Sequence, residues 1–230
     1  MKPLALCIAL SLSCGLATSA AIADPIDVVD ASGSFYALHV TSLKEARFKR
    51  TIRQQYDFSC GSAAVATLLT YQYHFPVTEQ QAFGEMYEHG NQAKIRKEGF
   101  SLLDIRNFLL AHDFAADGYE APLEKLEQTK TPAIVLIVEH GYHHFVVIKG
   151  LRNGRVLIGD PATGTRAMSK ESFMEKWQDR VLFVIHNRHE QATFNDASDW
   201  HVAPDAPLYT GIPREGLFTV VVPKLGPGEF

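Results

Sequence analysis

The sequence predicts an α+β domain in which N-terminal helices pack on a C-terminal antiparallel β-sheet. Before Pro132 the apolar residues recur mainly at helical spacing, and after it short runs of β-branched and aromatic residues alternate with turn signals. Helices followed by strands that hairpins can join are typical of the α+β class. With 46% apolar and 21% charged residues, the composition suits a globular domain with a substantial core.

The first part of the chain is expected to lead into one buried helix. Residues 24–50 are mixed and mostly loop, with a short strand expected at 35–40, and residues 51–59 are expected to be extended. A helix is predicted from Cys60 to about residue 73. Its alanines give high helix propensity and an apolar surface on most sides, so it should be buried, and Pro76 ends it.

Two further helices are predicted before the sheet begins. One covers residues 78–89, where Thr78 can serve as N-cap and Gln81 can complete a capping box. The other covers residues 101–112, and its apolar face consists of Leu102, Leu103, Ile105, Phe108 and Leu109.

Strands are predicted at residues 133–138, 144–150, 155–160 and 181–186. Arg152, Asn153 and Gly154 suit a hairpin turn between the second and third of these strands. Ser169 is expected to cap a short helix that runs to Trp177, between the third strand and the last.

The first 23 residues have the pattern of a secretory signal peptide, so we expect a periplasmic protein. Lys2 is followed by an apolar run over residues 4–16 and by small residues ending at Ala23. Lipid anchoring at Cys14 is the alternative. Cleavage after Ala23 would remove two of the three cysteines and leave Cys60 as a free thiol in an oxidising compartment.

The charge and hydropathy of the sequence argue against nucleic-acid binding and against a membrane-spanning segment. The net charge is −4 with both signs interspersed, which gives no basic face for nucleic acid. No segment after the predicted signal has the length and apolarity of a membrane span.

Cys60 is the candidate nucleophile, because unpaired N–H groups and the dipole at a helix N-terminus favour a thiolate. A buried, inert thiol is the alternative. His144, at the start of a strand, is the candidate base and later acid, with His143 as its rival, since neighbouring strand residues point to opposite faces. Asp160, at the end of the next strand, is the candidate orienter of the imidazole, or simply a turn residue.

Two smaller questions remain open on spacing alone. The Cys60 N–H and the side-chain amide of either Gln54 or Gln55 can form an oxyanion hole. A zinc site is conceivable among the histidines, although the chain has neither HExxH nor a cysteine pair. The histidines in question are His140, His143, His144, His186 and His189.

Four motifs stand in order along the chain, together with a GFSLLDI run at residues 99–105. They are Gln54, then Ser59-Cys60-Gly61, then His144-Phe145-Val146-Val147, then Asp160-Pro161-Ala162 with Gly164. This set resembles the C39 peptidase family, the papain-like proteases known for cutting leader peptides after Gly-Gly. The resemblance favours Gln54 over Gln55 as oxyanion donor. It implies a papain-like fold, a thiol peptidase with the triad Cys60, His144 and Asp160, and no cofactor.

The predicted organisation is a signal peptide (1–23), an N-terminal extension (24–50), a C39-like peptidase domain (51–187) and a Pro/Gly-rich extension (188–230). In the last segment the apolar run at 217–223 is expected to pack on the core as a strand, or to add to a partner or shield the cleft.

The expected activity is that of a cell-envelope cysteine endopeptidase, which cleaves an exported polypeptide at a small-residue, Gly-containing site in a narrow cleft. Signal, size and motifs are similar to those of exported C39 members that serve functional-amyloid secretion. This resemblance implies amyloid subunits or their export machinery as partners. The alternatives are a non-catalytic C39-like module that binds an exported polypeptide, and a papain-like acyltransferase, which would share the same nucleophile and base.

Overall fold

A computed structural model of the protein describes residues 41–204 and the backbone of two earlier strands, β1 (Ile26–Val29) and β2 (Phe35–Leu38). These strands pair antiparallel, with Ile26 opposite Leu38. The strand predicted at 35–40 is therefore confirmed, whereas residues 26–29 form a strand where a loop was expected. The chain divides between Ser42 and Leu43 into two compact units, and this hairpin belongs to the first.

Two predictions lie outside the described residues. They are the signal peptide, with its alternative of lipidation at Cys14, and the apolar run at 217–223. Of the described helices, none combines the length and the apolarity that crossing a bilayer requires.

The second unit begins with helices that pack around the helix starting at Cys60. A π-helical turn over Leu68–Gln72 prolongs the helix that begins at Cys60, so the first predicted helix is confirmed. Capping boxes, formed by Thr78 with Gln81 and by Ser101 with Asp104, start the two helices that were predicted next. The helices of this unit are α1 (Leu43–Phe48), α2 (Cys60–Thr67), α3 (Glu79–His89), α4 (Gln92–Glu98), α5 (Leu102–Ala111), α6 (Glu124–Thr129), α7 (Lys170–Lys176) and α8 (Ala197–Trp200).

Helix α2 is buried along its whole length, as its alanine content predicts. Small side chains let the neighbouring elements approach its axis closely. At Gly61 a Cβ atom would lie only 2.9 Å from the Cβ of Phe100, so a larger residue would push α2 away from that phenylalanine. The close packing fixes the start of α2, where Cys60 lies.

The sheet of the second unit is six-stranded and entirely antiparallel, in the order β3-β8-β4-β5-β6-β7. This confirms the predicted α+β class. Its strands are β3 (Ala116–Glu120), β4 (Ala133–Glu139), β5 (Tyr142–Arg152), β6 (Arg155–Asp160), β7 (Gly164–Ser169) and β8 (Val181–Ile185). Strands β3 and β7 were not predicted from the sequence, because they lie at the two edges of the sheet and lack a long apolar run.

Tight two-residue turns join the central strands. Asn153 and Gly154 have φ values of 53° and 70°, which confirms the hairpin predicted between β5 and β6. His140 and Gly141, at 52° and 78°, make the corresponding turn between β4 and β5. That turn pairs Glu139 with Tyr142 and so sets the register of the first residues of β5.

Each face of the sheet carries its own apolar core. Phe145 and Val147 of β5 pack with the helices that follow Cys60. Val146 and Ile148 face the other side, where Phe173 and Trp177 from α7 and its C-terminal end cover them. Alternation along β5 therefore separates the face towards α2 from the face towards α7.

Residues 190–204 pack back onto the second unit. The Thr193 N–H donates to the Gln72 carbonyl at 2.7 Å, and Asn195 Oδ1 accepts from the Leu151 N–H at 2.8 Å. Trp200 is buried. These contacts connect this segment to the end of the π-helical turn and to β5.

Candidate active site

Cys60 is the first residue of α2 and is 6% exposed. The turn before it is held by Ser59, whose hydroxyl accepts from the Tyr56 N–H at 3.1 Å and donates to the Tyr56 carbonyl at 3.0 Å. Cys60 therefore lies at a helix N-terminus, as the sequence predicts.

Burial raises the pKa of the Cys60 thiol, although hydrogen bonds from the backbone N–H groups of Phe145, Gly61 and Cys60 itself oppose the rise. The negative charge of Asp160 adds to the increase. From the sequence alone, the helix N-terminus was expected to favour a thiolate. In the structure, loss of water around the sulfur outweighs the N–H groups, so the resting thiol is neutral.

His144 lies near the beginning of β5, with its imidazole buried against two carboxylates. Its Nε2 atom is 3.7 Å from Asp160 Oδ2 and 4.0 Å from Glu139 Oε2. The register that pairs Val147 with Gly159 brings the start of β5 beside the end of β6. The β5–β6 hairpin thus brings His144 beside Asp160, as the sequence predicts.

Asp160 combines the two roles that the sequence left open. Its carboxylate is fully buried, and Oδ1 accepts from the N–H groups of Ala162 at 2.8 Å and Thr163 at 3.3 Å. The other oxygen, Oδ2, faces His144. The turn after β6 therefore fixes the carboxylate that lies next to the imidazole.

The structure distinguishes between the two neighbouring histidines. His144 is buried beside both carboxylates, whereas His143 is exposed. The thiol of Cys60 is hydrogen-bonded by the backbone N–H of Phe145, the residue directly after His144. Burial lowers the pKa of His144, and Asp160 and Glu139 oppose this while Arg166 reinforces it, so the resting imidazole is neutral at pH 7.

Gln54 is tied to the same turn as Asp160. Its backbone N–H donates to the Pro161 carbonyl at 3.1 Å, and its Nε2 donates to the Tyr56 carbonyl at 3.1 Å. An amide nitrogen has two hydrogens, so one remains for a further acceptor. Gln54 is half-buried, whereas Gln55 is exposed.

Four side chains of the site, those of Glu139, Tyr142, Arg166 and Lys176, were not identified from the sequence. Arg166 Nη2 lies 2.5 Å from Glu139 Oε2 and 2.9 Å from Asp160 Oδ2, and the Lys176 ammonium lies 2.9 Å from Glu139 Oε1. The hydroxyl of Tyr142 donates to the Asp57 carbonyl. No motif marks these residues, because their contacts depend on strand register and on the turn at residues 140–141.

Tyr142 connects the strand that carries the imidazole to the loop that precedes the thiol. Its ring stands edge-on to His144, with ring centroids 5.9 Å apart and an interplanar angle of 87°. Asp57, in the loop before Cys60, contributes its backbone carbonyl to this contact. The hydrogen bond therefore holds the two sides of the site together.

Glu139, His144 and Asp160 form the one cluster of three possible metal ligands within the part of the chain that the structure describes. Among the histidines considered for zinc, it contains His144 alone. Arg166 and Lys176 already supply positive charge to the two carboxylates. Ion pairs therefore balance the charge of the two acids in this cluster.

A cavity of about 580 Å³ opens beside Cys60. Its apolar wall includes Phe58, Phe100, Leu102, Leu136 and Phe145, and charged residues such as Arg96 and Asp179 also line it. The cavity has the size and lining to receive a side chain larger than glycine.

Residues 49–189 match the model of the Peptidase C39 family. The chain belongs to this family and is a cysteine peptidase. It is similar to the probable functional amyloid protease FapD of Pseudomonas aeruginosa, with 36% identity over 159 residues, which cover 69% of this chain and 70% of that protein. The protein of the same description from Pseudomonas fluorescens is 35% identical over 153 residues, or 66% of this chain and 68% of that one.

The fold is similar to that of a solved C39 domain. The peptidase domain of Streptococcus ComA, described as a bifunctional ABC transporter of quorum sensing, superimposes with a TM-score of 0.50 at 20% identity. The match covers 59% of this chain and 97% of that domain. The papain-like fold implied by the sequence is thereby confirmed.

Proposed function

We propose that the protein is a cysteine endopeptidase of the cell envelope. Cys60 is the nucleophile, His144 the base and later acid, and Asp160 the orienter of the imidazole. The observation that carries this assignment is the position of the thiol at the Phe145 N–H, one residue from an imidazole that faces a fixed carboxylate 3.7 Å away. Gln54 donates its remaining amide hydrogen to the oxyanion.

The neutral thiol and neutral imidazole define the order of proton transfers. His144 takes the proton from Cys60 Sγ as the sulfur attacks the peptide carbonyl, and the Cys60 N–H with Gln54 stabilises the oxyanion. The imidazolium then gives its proton to the departing amine, which leaves a thioester on Cys60. Water, activated by His144, attacks the thioester and releases the second product and the thiol.

The substrate is an exported polypeptide with a small-residue, Gly-containing cleavage site. The apolar cavity beside Cys60 would receive a larger apolar side chain near the scissile bond. Two relatives carry the description functional amyloid protease, which supports amyloid subunits or their export machinery as partners. Cleavage after Ala23 would place the enzyme in the periplasm, and the mass of the mature N-terminus tests that point.

The activity can be tested without a known substrate. The mature protein is incubated with a peptide library containing Gly-Gly, Gly-Ala and Ala-Ala sites, and products are identified by mass spectrometry. We expect cleavage that is absent in Cys60→Ala and His144→Ala and retained in His143→Ala. Full cleavage by Cys60→Ala would overturn the proposal. Products carrying an added amine would indicate acyl transfer instead of hydrolysis.

A further inference from the structure

Four charged or titratable side chains form a line across neighbouring strands of the sheet. Glu139 is on β4, His144 on β5, Asp160 on β6 and Arg166 on β7. The register pairs Ile137 with His144, so Glu139 and the imidazole share one face of the sheet. Asp160 and Arg166 are likewise two strand positions apart across the β6–β7 pair.

Arg166 binds both carboxylates at once. Its Nη2 atom contacts Glu139 Oε2 at 2.5 Å and Asp160 Oδ2 at 2.9 Å. Its Nη1 donates to Glu139 Oε1 at 3.3 Å, and its Nε donates to Asp160 Oδ2 at 3.3 Å. The rigid fork of a guanidinium can make this set of bonds, whereas a lysine ammonium cannot span both acids in the same way.

The oxygens that Arg166 binds most closely are also the oxygens that face the imidazole. Glu139 Oε2 and Asp160 Oδ2 lie 4.0 Å and 3.7 Å from His144 Nε2, and this buried nitrogen makes no hydrogen bond in the described structure. The imidazole and the guanidinium therefore share the same two carboxylates. When the imidazole gains a proton during catalysis, either carboxylate lies near enough to stabilise it after a small movement.

We propose that Arg166 and Glu139 are positioning residues of the peptidase, which hold Asp160 and provide His144 with a second carboxylate. This inference rests on the proposed role of His144 as base. Arg166 keeps the two acids together beside the imidazole, and Glu139 shares the stabilisation of the imidazolium with Asp160. In a Cys-His-Asp triad alone, a single carboxylate would stabilise the imidazolium, whereas here two carboxylates do so.

The charges around His144 make the proposal testable by titration. Asp160 and Glu139 favour the imidazolium, while Arg166 disfavours it. The Tyr142 ring stands perpendicular to the imidazole, and the Cys60 thiol is neutral at rest. The Lys176 ammonium pairs with Glu139 Oε1 at 2.9 Å and is unchanged in the variants below. Removing the charge of Arg166 should therefore raise the pKa of His144, and removing the charge of Glu139 should lower it.

The experiment measures the His144 titration by NMR of the imidazole Cε1–H signal, in the Cys60→Ala background so that no turnover is needed. The variants are Arg166→Gln, Glu139→Gln and the double variant, with His144→Gln to assign the signal. Arg106→Gln is the matched control, since it removes one arginine charge from the exposed pair with Asp117. Opposite shifts for the two single variants, with little shift in the control, are expected.

Activity gives a second readout in the active enzyme. We expect kcat to fall on the order of tenfold in Arg166→Gln with little change in KM, because the imidazole is less well held. Arg166→Lys should keep the low pKa of His144 and still lose kcat. If Arg166→Gln is too unstable to purify, Glu139→Gln alone still tests the sign of the shift, because Glu139 is the second acid beside the imidazole.

The outcomes separate this inference from the proposed function. An unchanged His144 titration and unchanged kcat in both single variants would overturn the positioning role, even if Cys60→Ala abolishes cleavage. Shifts of the His144 pKa in the same direction in both single variants would also contradict it. A general loss of packing would move the pKa the same way in both, whereas the loss of a negative and of a positive charge should move it in opposite directions. Undiminished cleavage by Cys60→Ala would instead remove the proposed function itself.

Discussion

The Lys149 ammonium lies 2.7 Å from Asp199 Oδ1, and both side chains are fully buried. Lys149 belongs to β5, the strand that also carries His144, and Asp199 belongs to α8, beyond the residues that match the family model. Asp199 also accepts from Arg50 Nε at 3.0 Å and from Gln72 Nε2 at 3.2 Å. The segment after residue 189 therefore supplies the carboxylate that neutralises the buried Lys149 ammonium.

Asp199→Ala should destabilise the protein strongly, because it leaves the Lys149 ammonium buried without its carboxylate. Breaking one partner of a buried pair costs about 3–5 kcal/mol. The free energy of unfolding in urea measures the effect. The matched control is Glu124→Ala, which removes the partner of Lys170 in an exposed pair and should cost less than about 1 kcal/mol. Similar values for the two variants would contradict a structural role for α8.

The same pair predicts how stability changes with pH. Burial lowers the pKa of Lys149 from its ordinary 10.5 to about 8, although Asp199 opposes the decrease. Between these values the unfolded chain binds more protons than the folded one, so the Lys149 contribution to stability rises with pH from about 8 to 10.5. We expect wild type to gain up to about 3 kcal/mol relative to Lys149→Met over this range. Urea midpoints at pH 7.5 and 10.5 test the sign, and a constant difference would contradict it.

Local patterns predicted the central elements of the fold well. The capping box at Thr78, the N-cap at Ser169 and the turn at 153–154 depend on neighbours within a few residues, and the structure contains all three. Strand β3 was missed because its residues, ADGYE, are mostly polar and exposed at a sheet edge. Such a strand is specified by its pairing with β8, which a local pattern does not contain.

In the candidate site, too, some residues could be predicted from local sequence patterns and others could not. Motif spacing was sufficient to propose Cys60, His144 and Asp160, and the structure brings the last two within 3.7 Å. Arg166 and Glu139 could not be found from spacing, since their contacts require the register of β4 through β7. The protonation of the thiol also depends on burial, and for that reason the expectation of a resting thiolate differed from the structure.

Gln54 and Gln55 offer a matched pair for testing the oxyanion hole. Gln54→Ala removes the half-buried amide beside the Asp160 turn, whereas Gln55→Ala changes an exposed neighbour. Losing one oxyanion donor typically lowers kcat about 10²–10³-fold, so we expect that loss for Gln54 and near wild-type kcat for Gln55. Steady-state kinetics on one peptide substrate are sufficient. Equal effects in both variants would remove Gln54 from this role.

Alkylation of Cys60 tests the protonation of the resting thiol. Because burial raises its pKa, the rate of reaction with iodoacetamide should increase at a higher pH in the folded protein than in urea-unfolded protein. The midpoint of the pH profile is the quantity compared, since burial also lowers the absolute rate. His144→Ala should change this midpoint little. A folded midpoint below the unfolded one would show a thiolate stabilised by His144 or by the helix N-terminus.

The acid side of the activity profile tests the state of the base. His144 must be neutral to accept the proton of Cys60, and burial lowers the pKa of this imidazole below its ordinary value of 6.5. We therefore expect kcat/KM to hold as the pH falls through 6.5 and to decrease only at lower pH. Profiles between pH 4 and 8 for wild type and His143→Ala should coincide, because the proposed base is His144 and not the exposed His143. A midpoint at or above 6.5, or one that moves in His143→Ala, would mean that another group limits activity.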